Sequence, residues 1–167
     1  TGTPPGFFTN GNVYCHAASF KIAADYAAGR NDKAFDTLKR ILPSADKSEP
    51  FAQSNGYVGP TAQRLHRHVS DDPWRTGTIA WNVLNISDQL FGFNRTLEGF
   101  RLCPKLPSHW NEAQVTRPFR GVRYEIEFRR GKNPRIEVDG KAIKGNLILC
   151  PLGKPAKKKV KILCEIA

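Results

Sequence analysis

Methionine is absent from all 167 residues, and the chain opens Thr1-Gly2-Thr3-Pro4-Pro5-Gly6. Residue 1 is therefore expected not to be a native start. No apolar run approaches the roughly 20 residues of a membrane-spanning helix, and no basic, apolar, small-residue opening resembles a secretory signal. The expectation is a cytoplasmic protein with no membrane contact. Cysteine is sparse: Cys15, Cys103, Cys150 and Cys164, no two at the close spacing of a zinc or redox pair. Without a secretory signal they are expected to be free thiols. His66 and His68 lie two apart, but no Cys or carboxylate joins them at ligand spacing, so no metal site is expected. The sequons at Asn85 and Asn94 fall in or beside a helical pattern and read as chance.

Acidic residues are scarce in one part only. Residues 1–100 hold ten basic and nine acidic side chains, whereas residues 101–167 hold sixteen and six, a net of +10. A basic half admits nucleic acid, an anionic ligand or an acidic partner domain. Here the basic residues are interspersed among strand-like alternations, without the aromatic interleaving of a base-stacking surface. Nucleic acid is therefore not an expected partner. With 40% apolar and 25% charged residues, the composition is that of a globular chain rather than a disordered one.

The first hundred residues read as helical. Phe20, Ala23, Ala24 and Ala27 form one face of a helix over 17–28, and Gly29 stops it. Asn31 and Asp32 suggest the N-cap of a second helix, with Ala34, Phe35, Leu38, Ile41 and Leu42 apolar and Pro43 as its end. So tight a connection predicts antiparallel neighbours. Residues 44–75 are turn-rich and polar. A third helix is predicted over 76–91, with Ile79, Val83, Ile86 and Leu90 as its buried stripe. Trp81 and Phe91 widen its apolar arc, as in helices buried among many others, so partner helices are expected beyond those visible here.

After Gly99 the pattern becomes one of short strands, expected to be antiparallel: 100–102, 114–117, 124–128, 135–138, 146–149 and 160–165. Val138-Asp139-Gly140-Lys141 is a hairpin signal, because Asp-Gly tolerates positive φ. The spacing suggests a β-sandwich.

Three local features carry chemistry. Pro73-Trp74-Arg75-Thr76-Gly77-Thr78 precedes the third helix, where a hydroxyl, a glycine and unpaired N–H groups suit an anion such as phosphate. Asn10 to His16 opens the first helix and offers an imidazole. Glu49 to Gly59 mixes amides, aromatics and glycines, a composition that suits sugar hydroxyls and sugar faces.

Together these stretches resemble the C-terminal part of the inverting disaccharide phosphorylases of glycoside hydrolase family 94, the cellobiose phosphorylase group. The matching residues keep their order: 10–16, 29–35, 49–51, 74–78 with Trp81, 90–93, 99–104, 106–110, 115–121, 124–126 and 138–146. The resemblance implies an α+β chain. Residues 1–98 would supply the last helices of an (α/α)6 barrel, and residues 99–167 a small antiparallel β-sandwich domain. It implies reversible phosphorolysis of a β-linked disaccharide to a sugar 1-phosphate with inversion, inorganic phosphate being a substrate and no cofactor being needed. His16, Thr76 and Gly77 match the family's phosphate contacts, and Asn55 matches a Gln or Asn near the donor sugar.

The family's catalytic Asp, its general acid, lies upstream of what residue 1 matches, so these residues alone are expected to be inactive. The implied partners are disaccharide, phosphate, the remainder of the barrel and a second copy in a homodimer. Residues 61–72, with Arg64, His66, Arg67 and His68, match no family pattern. The alternative is a non-catalytic carbohydrate- or anion-binding module.

Overall fold

The computed structural model describes residues 2–42, 53–62, 70–71, 77–150, 152–153 and 158–167. They form two compact units, Thr1–Ile86 and Ser87–Ala167. The chain is α+β.

In the first unit a short strand β1 (Val13–Tyr14) runs directly into helix α1 (Cys15–Ala27). Helix α2 (Asn31–Ile41) follows after three residues and packs on α1. Strands β2 (Gly56–Tyr57) and β3 (Ser70–Asp71) extend β1 into a sheet of order β1-β2-β3, with Tyr14 opposite Gly56 and Tyr57 opposite Ser70. The Asn31 side chain is not the cap of α2; Arg30 occupies that position and no side chain caps it. Instead Arg30 turns back on α1, its guanidinium 2.8 Å from Asp25, which also holds Lys21 at 2.7 Å. Gly59 allows the backbone to close on the N-terminal loop: a Cβ there would stand 1.8 Å from the Gly11 carbonyl oxygen.

Helix α3 (Thr78–Leu84) continues as a π-helical stretch, Asn85–Leu90. The helix faces differ from the periodicity reading. On α3, Ile79 and Val83 are 52% and 53% exposed, while Thr78 and Asn82 are buried, as is Asn85 at the start of the π-helical stretch; of the expected stripe Leu90 is buried. On α1, Phe20 is 47% exposed, and Ser19, Ile22, Asp25 and Tyr26 are buried. The cause is the polar contact between the two helices: Ser19 Oγ donates to Asn82 Oδ1 (3.2 Å), and Asn85 Nδ2 donates to the Ser19 carbonyl (3.0 Å). Asn85 is thus consumed internally, consistent with its sequon being chance. On α2 the expected face is buried at Ala34, Leu38 and Ile41, but Leu42 is exposed.

The second unit holds two sheets. Strands β4 (Phe93–Arg95), β5 (Gly99–Leu102) and β10 (Leu147–Leu149) form one, in the order β10-β5-β4. The other has the order β6-β7-β11-β8-β9. Its strands are β6 (Glu112–Phe119), β7 (Val122–Arg130), β8 (Arg135–Val138), β9 (Lys141–Ile143) and β11 (Lys159–Ile166). This sheet is mixed rather than purely antiparallel, because β11 inserts parallel to β7 with Ile162 opposite Ile126. Alternate residues of β7, namely Val122, Tyr124, Ile126 and Phe128, face the core, as period two requires. Aromatic rings join the sheets: Phe100 lies 4.0 Å from Phe93, 5.8 Å from Phe119 and 4.9 Å from Tyr124 between centroids. The Asp139-Gly140 turn has positive φ at both residues, as the hairpin signal demands, and so does Arg120-Gly121 between β6 and β7.

Candidate functional site

The pairing of β1 with β2 lays residues 55–57 beside the entry to α1. The Cys15 N–H donates to the Asn55 carbonyl at 2.9 Å, so Asn55 adjoins the first turn of α1, where His16 stands. The polar contact between α1 and α3 brings a third segment to the same place. A Cβ built on Gly77 would lie 3.0 Å from His16 Cε1 and 3.2 Å from Nε2. Positions 16 and 77, distant in sequence, are therefore in contact, and the glycine is what admits the ring edge. The imidazole also stacks on Phe20 with centroids 5.1 Å apart, and Phe20 meets the edge of Trp81 at 4.7 Å. A half-buried imidazole, an exposed glycine backbone and a half-buried amide residue thus share one end of the first unit.

Of the four expected site residues, His16, Gly77 and Asn55 are brought together, and Thr76 lies outside the described residues. So do 63–69, which carry the unmatched Arg64, His66, Arg67 and His68. Cys15 adjoins the site but offers no nucleophile at neutral pH: burial pushes its thiol up to about 12. Among the described residues no group of three or more His, Cys, Asp or Glu is placed to hold a metal ion, and no helix is long and apolar enough to cross a membrane.

Sequence reading missed the polar layer beneath the site. Asn82 Nδ2 donates to Gln53 Oε1 at 3.1 Å, and Gln53 Nε2 donates to the Ile41 carbonyl at 2.8 Å. With Ser19 these side chains are at most 6% exposed. The available signal was the i, i+4, i+7 series Thr78, Asn82, Asn85, a polar helical face.

No family model matches the chain. Curated proteins do. Over 160 residues, 88% of this chain, it is 37% identical to solabiose phosphorylase of Paenibacillus borealis. Over 147 residues, 80% of the chain, it is 33% identical to cellobionic acid phosphorylase of Neurospora crassa. The chain belongs with the disaccharide phosphorylases of glycoside hydrolase family 94. A further phosphorylase of Paenibacillus borealis, acting on 3-O-beta-D-glucopyranosyl-beta-D-glucuronide, is 32% identical over 154 residues, 82% of the chain. The chain spans about a fifth of the length of these relatives: 20%, 18% and 19% of each in the order given.

Proposed function

We propose that this chain is the C-terminal portion of a disaccharide phosphorylase, contributing part of the phosphate site. Residues 1–98 would be the last helices of an (α/α)6 barrel and 99–167 the C-terminal β domain. The observation that carries this reading is the contact between His16 and Gly77, with Asn55 fastened beside them, in a chain similar over most of its length to such enzymes. The exposed apolar face of Phe20, Ile79, Trp81 and Val83 fits helices that expect further barrel neighbours.

In the proposed reaction a carboxylic acid, supplied from outside this chain, protonates the glycosidic oxygen. A phosphate oxygen attacks the anomeric carbon from the opposite face, the C–O bond to the leaving sugar breaks, and a sugar 1-phosphate forms with inversion. Phosphate is already anionic, so no protein base is required. The protein's task is to hold it in line with polar contacts. His16, Thr76 and Gly77 take that role, and Asn55 serves the donor sugar. No cofactor takes part.

The test is phosphate-dependent release of sugar 1-phosphate by the complete polypeptide containing this chain. Solabiose, cellobionic acid, cellobiose and chitobiose are the substrates to offer, with His16→Ala as the site variant. Release that depends on phosphate and on His16 is expected. Sugar binding without any phosphorolysis would replace this reading with that of a binding module.

A further inference from the structure

Beneath the three candidate site residues runs a chain of buried polar groups with a defined direction. Gln53 Nε2 donates to the Ile41 carbonyl, which can only accept. Gln53 Oε1 must therefore be the acceptor for Asn82 Nδ2, and Asn82 Oδ1 faces the Ser19 hydroxyl at 3.2 Å, whose one proton it shares with the Cys15 carbonyl at 3.0 Å. Reversing either amide would set two acceptors or two donors face to face. Ser19 is 0%, Asn82 4% and Gln53 6% exposed, so water does not substitute for a lost partner.

Each member sits close in sequence to one site residue. Ser19 lies one helical turn after His16, Asn82 five residues after Gly77, and Gln53 two residues before Asn55. The relay thus links the three segments that bear the site. Stability does not explain it. Replacing both partners of a buried hydrogen bond with apolar groups of the same shape is close to neutral, and α3 has apolar residues available on its exposed side, one position along at Ile79 and Val83. What polar contacts add over apolar ones is a fixed distance and orientation.

We propose that Ser19, Asn82 and Gln53 are positioning residues that hold His16 and Gly77 in register for phosphate, with Asn55 beside them for the donor sugar. This rests on the phosphate-site reading above. The probe is inorganic phosphate, used with the complete polypeptide and saturating disaccharide. Asn82→Leu is expected to raise the phosphate KM about tenfold, and Ser19→Ala by about threefold, since sub-ångström misplacement is sufficient for such losses.

Asp25→Asn is the control. It disturbs a buried ion-paired residue of the same helix, six residues from Ser19 and about 9 Å farther along the axis. It is expected to lower the melting temperature and leave the phosphate KM unmoved, whereas a merely structural relay would behave as Asp25 does.

Folded Asn82→Leu and Ser19→Ala enzymes with parental phosphate KM would overturn the proposal. If Asn82→Leu does not fold, Ser19→Ala decides alone, because it deletes only a hydroxyl. His16→Ala separates the two levels. If it raises the phosphate KM while the relay variants do not, only the relay falls. If it too has no effect, the phosphate site falls and the relay with it.

Discussion

Gly77→Ala adds one methyl group at the point where the candidate site is tightest. The three nearest neighbours of the new Cβ would all be atoms of the His16 ring, the closest at 3.0 Å from Cε1. Favourable carbon–carbon contact begins near 3.5 Å, so the ring must withdraw by about 0.5 Å. If 1 Å of misplacement can cost about a hundredfold, half of that predicts about a tenfold rise in the phosphate KM, or about 1.4 kcal/mol. Folding should respond with the opposite sign. Gly77 has φ −75° and ψ −6°, which alanine adopts without strain, and removing a glycine from the unfolded ensemble contributes about 0.4–1 kcal/mol of stability. The assay is initial-rate phosphorolysis by the complete polypeptide against phosphate at saturating disaccharide, with a denaturant titration of the same sample. Higher phosphate KM together with equal or greater stability is the expected pair. An unchanged KM in a variant of unchanged or higher stability would refute the assignment of the His16–Gly77 contact to phosphate.

Three more outcomes follow from the packing. The hydrogen bond from Lys21 holds the Asp25 carboxyl below the usual carboxylate range; burial opposes this, and the charges of Lys21 and Arg30 reinforce it. Its stabilisation is therefore present above the unfolded-chain pKa of about 3.9 and lost as pH falls through the lower folded value. Asp25→Asn should flatten stability against pH below about 4, and an unchanged acid slope would remove Asp25 as its source. Phe100, fully buried among Phe93, Phe119 and Tyr124, should cost about 3–5 kcal/mol on truncation to Ala, read by urea unfolding. Burial pushes the Cys15 thiol up to about 12 and that of Cys164 up to about 11. Iodoacetamide at pH 8 should therefore modify half-buried Cys103 first and reach Cys15 and Cys164 only on unfolding, as peptide mapping would show.

The β part was largely legible. Period-two alternation located all the strands of residues 99–167 except β9, because a half-buried strand writes its burial into every second residue. Arg135–Val138 matches the expected bounds, and Asp139-Gly140 supplied the turn chemistry. What alternation does not encode is direction. Strand β11 carries the same pattern whether it runs with β7 or against it, so its parallel insertion had no local signature. Strands β4 (Phe-Asn-Arg) and β9 (Lys-Ala-Ile) do not alternate apolar with polar, so no period marked them.

Of the helices of the first unit, α2 was read with the right face, while α1 and α3 bury a different one, and the reason bears on the site. Periodicity assumes that the apolar stripe is the buried one. On α3 the buried face lies one residue away, at Thr78, Asn82 and Asn85, a rotation of about 100°. Both faces are real: the polar one meets α1, and the apolar one is exposed in the described residues. The exposed apolar face is the one on which the proposed barrel neighbours would pack. Gly77 meets His16 on the same two helices on which Asn82 meets Ser19, and Asn55 adjoins them through its carbonyl, which accepts from the Cys15 N–H. The chemistry expected at His16, Gly77 and Asn55 was readable as local motifs. Their convergence, with Ser19, Asn82 and Gln53 bonded on the same three segments, is contained in no single motif, and it emerged only in three dimensions.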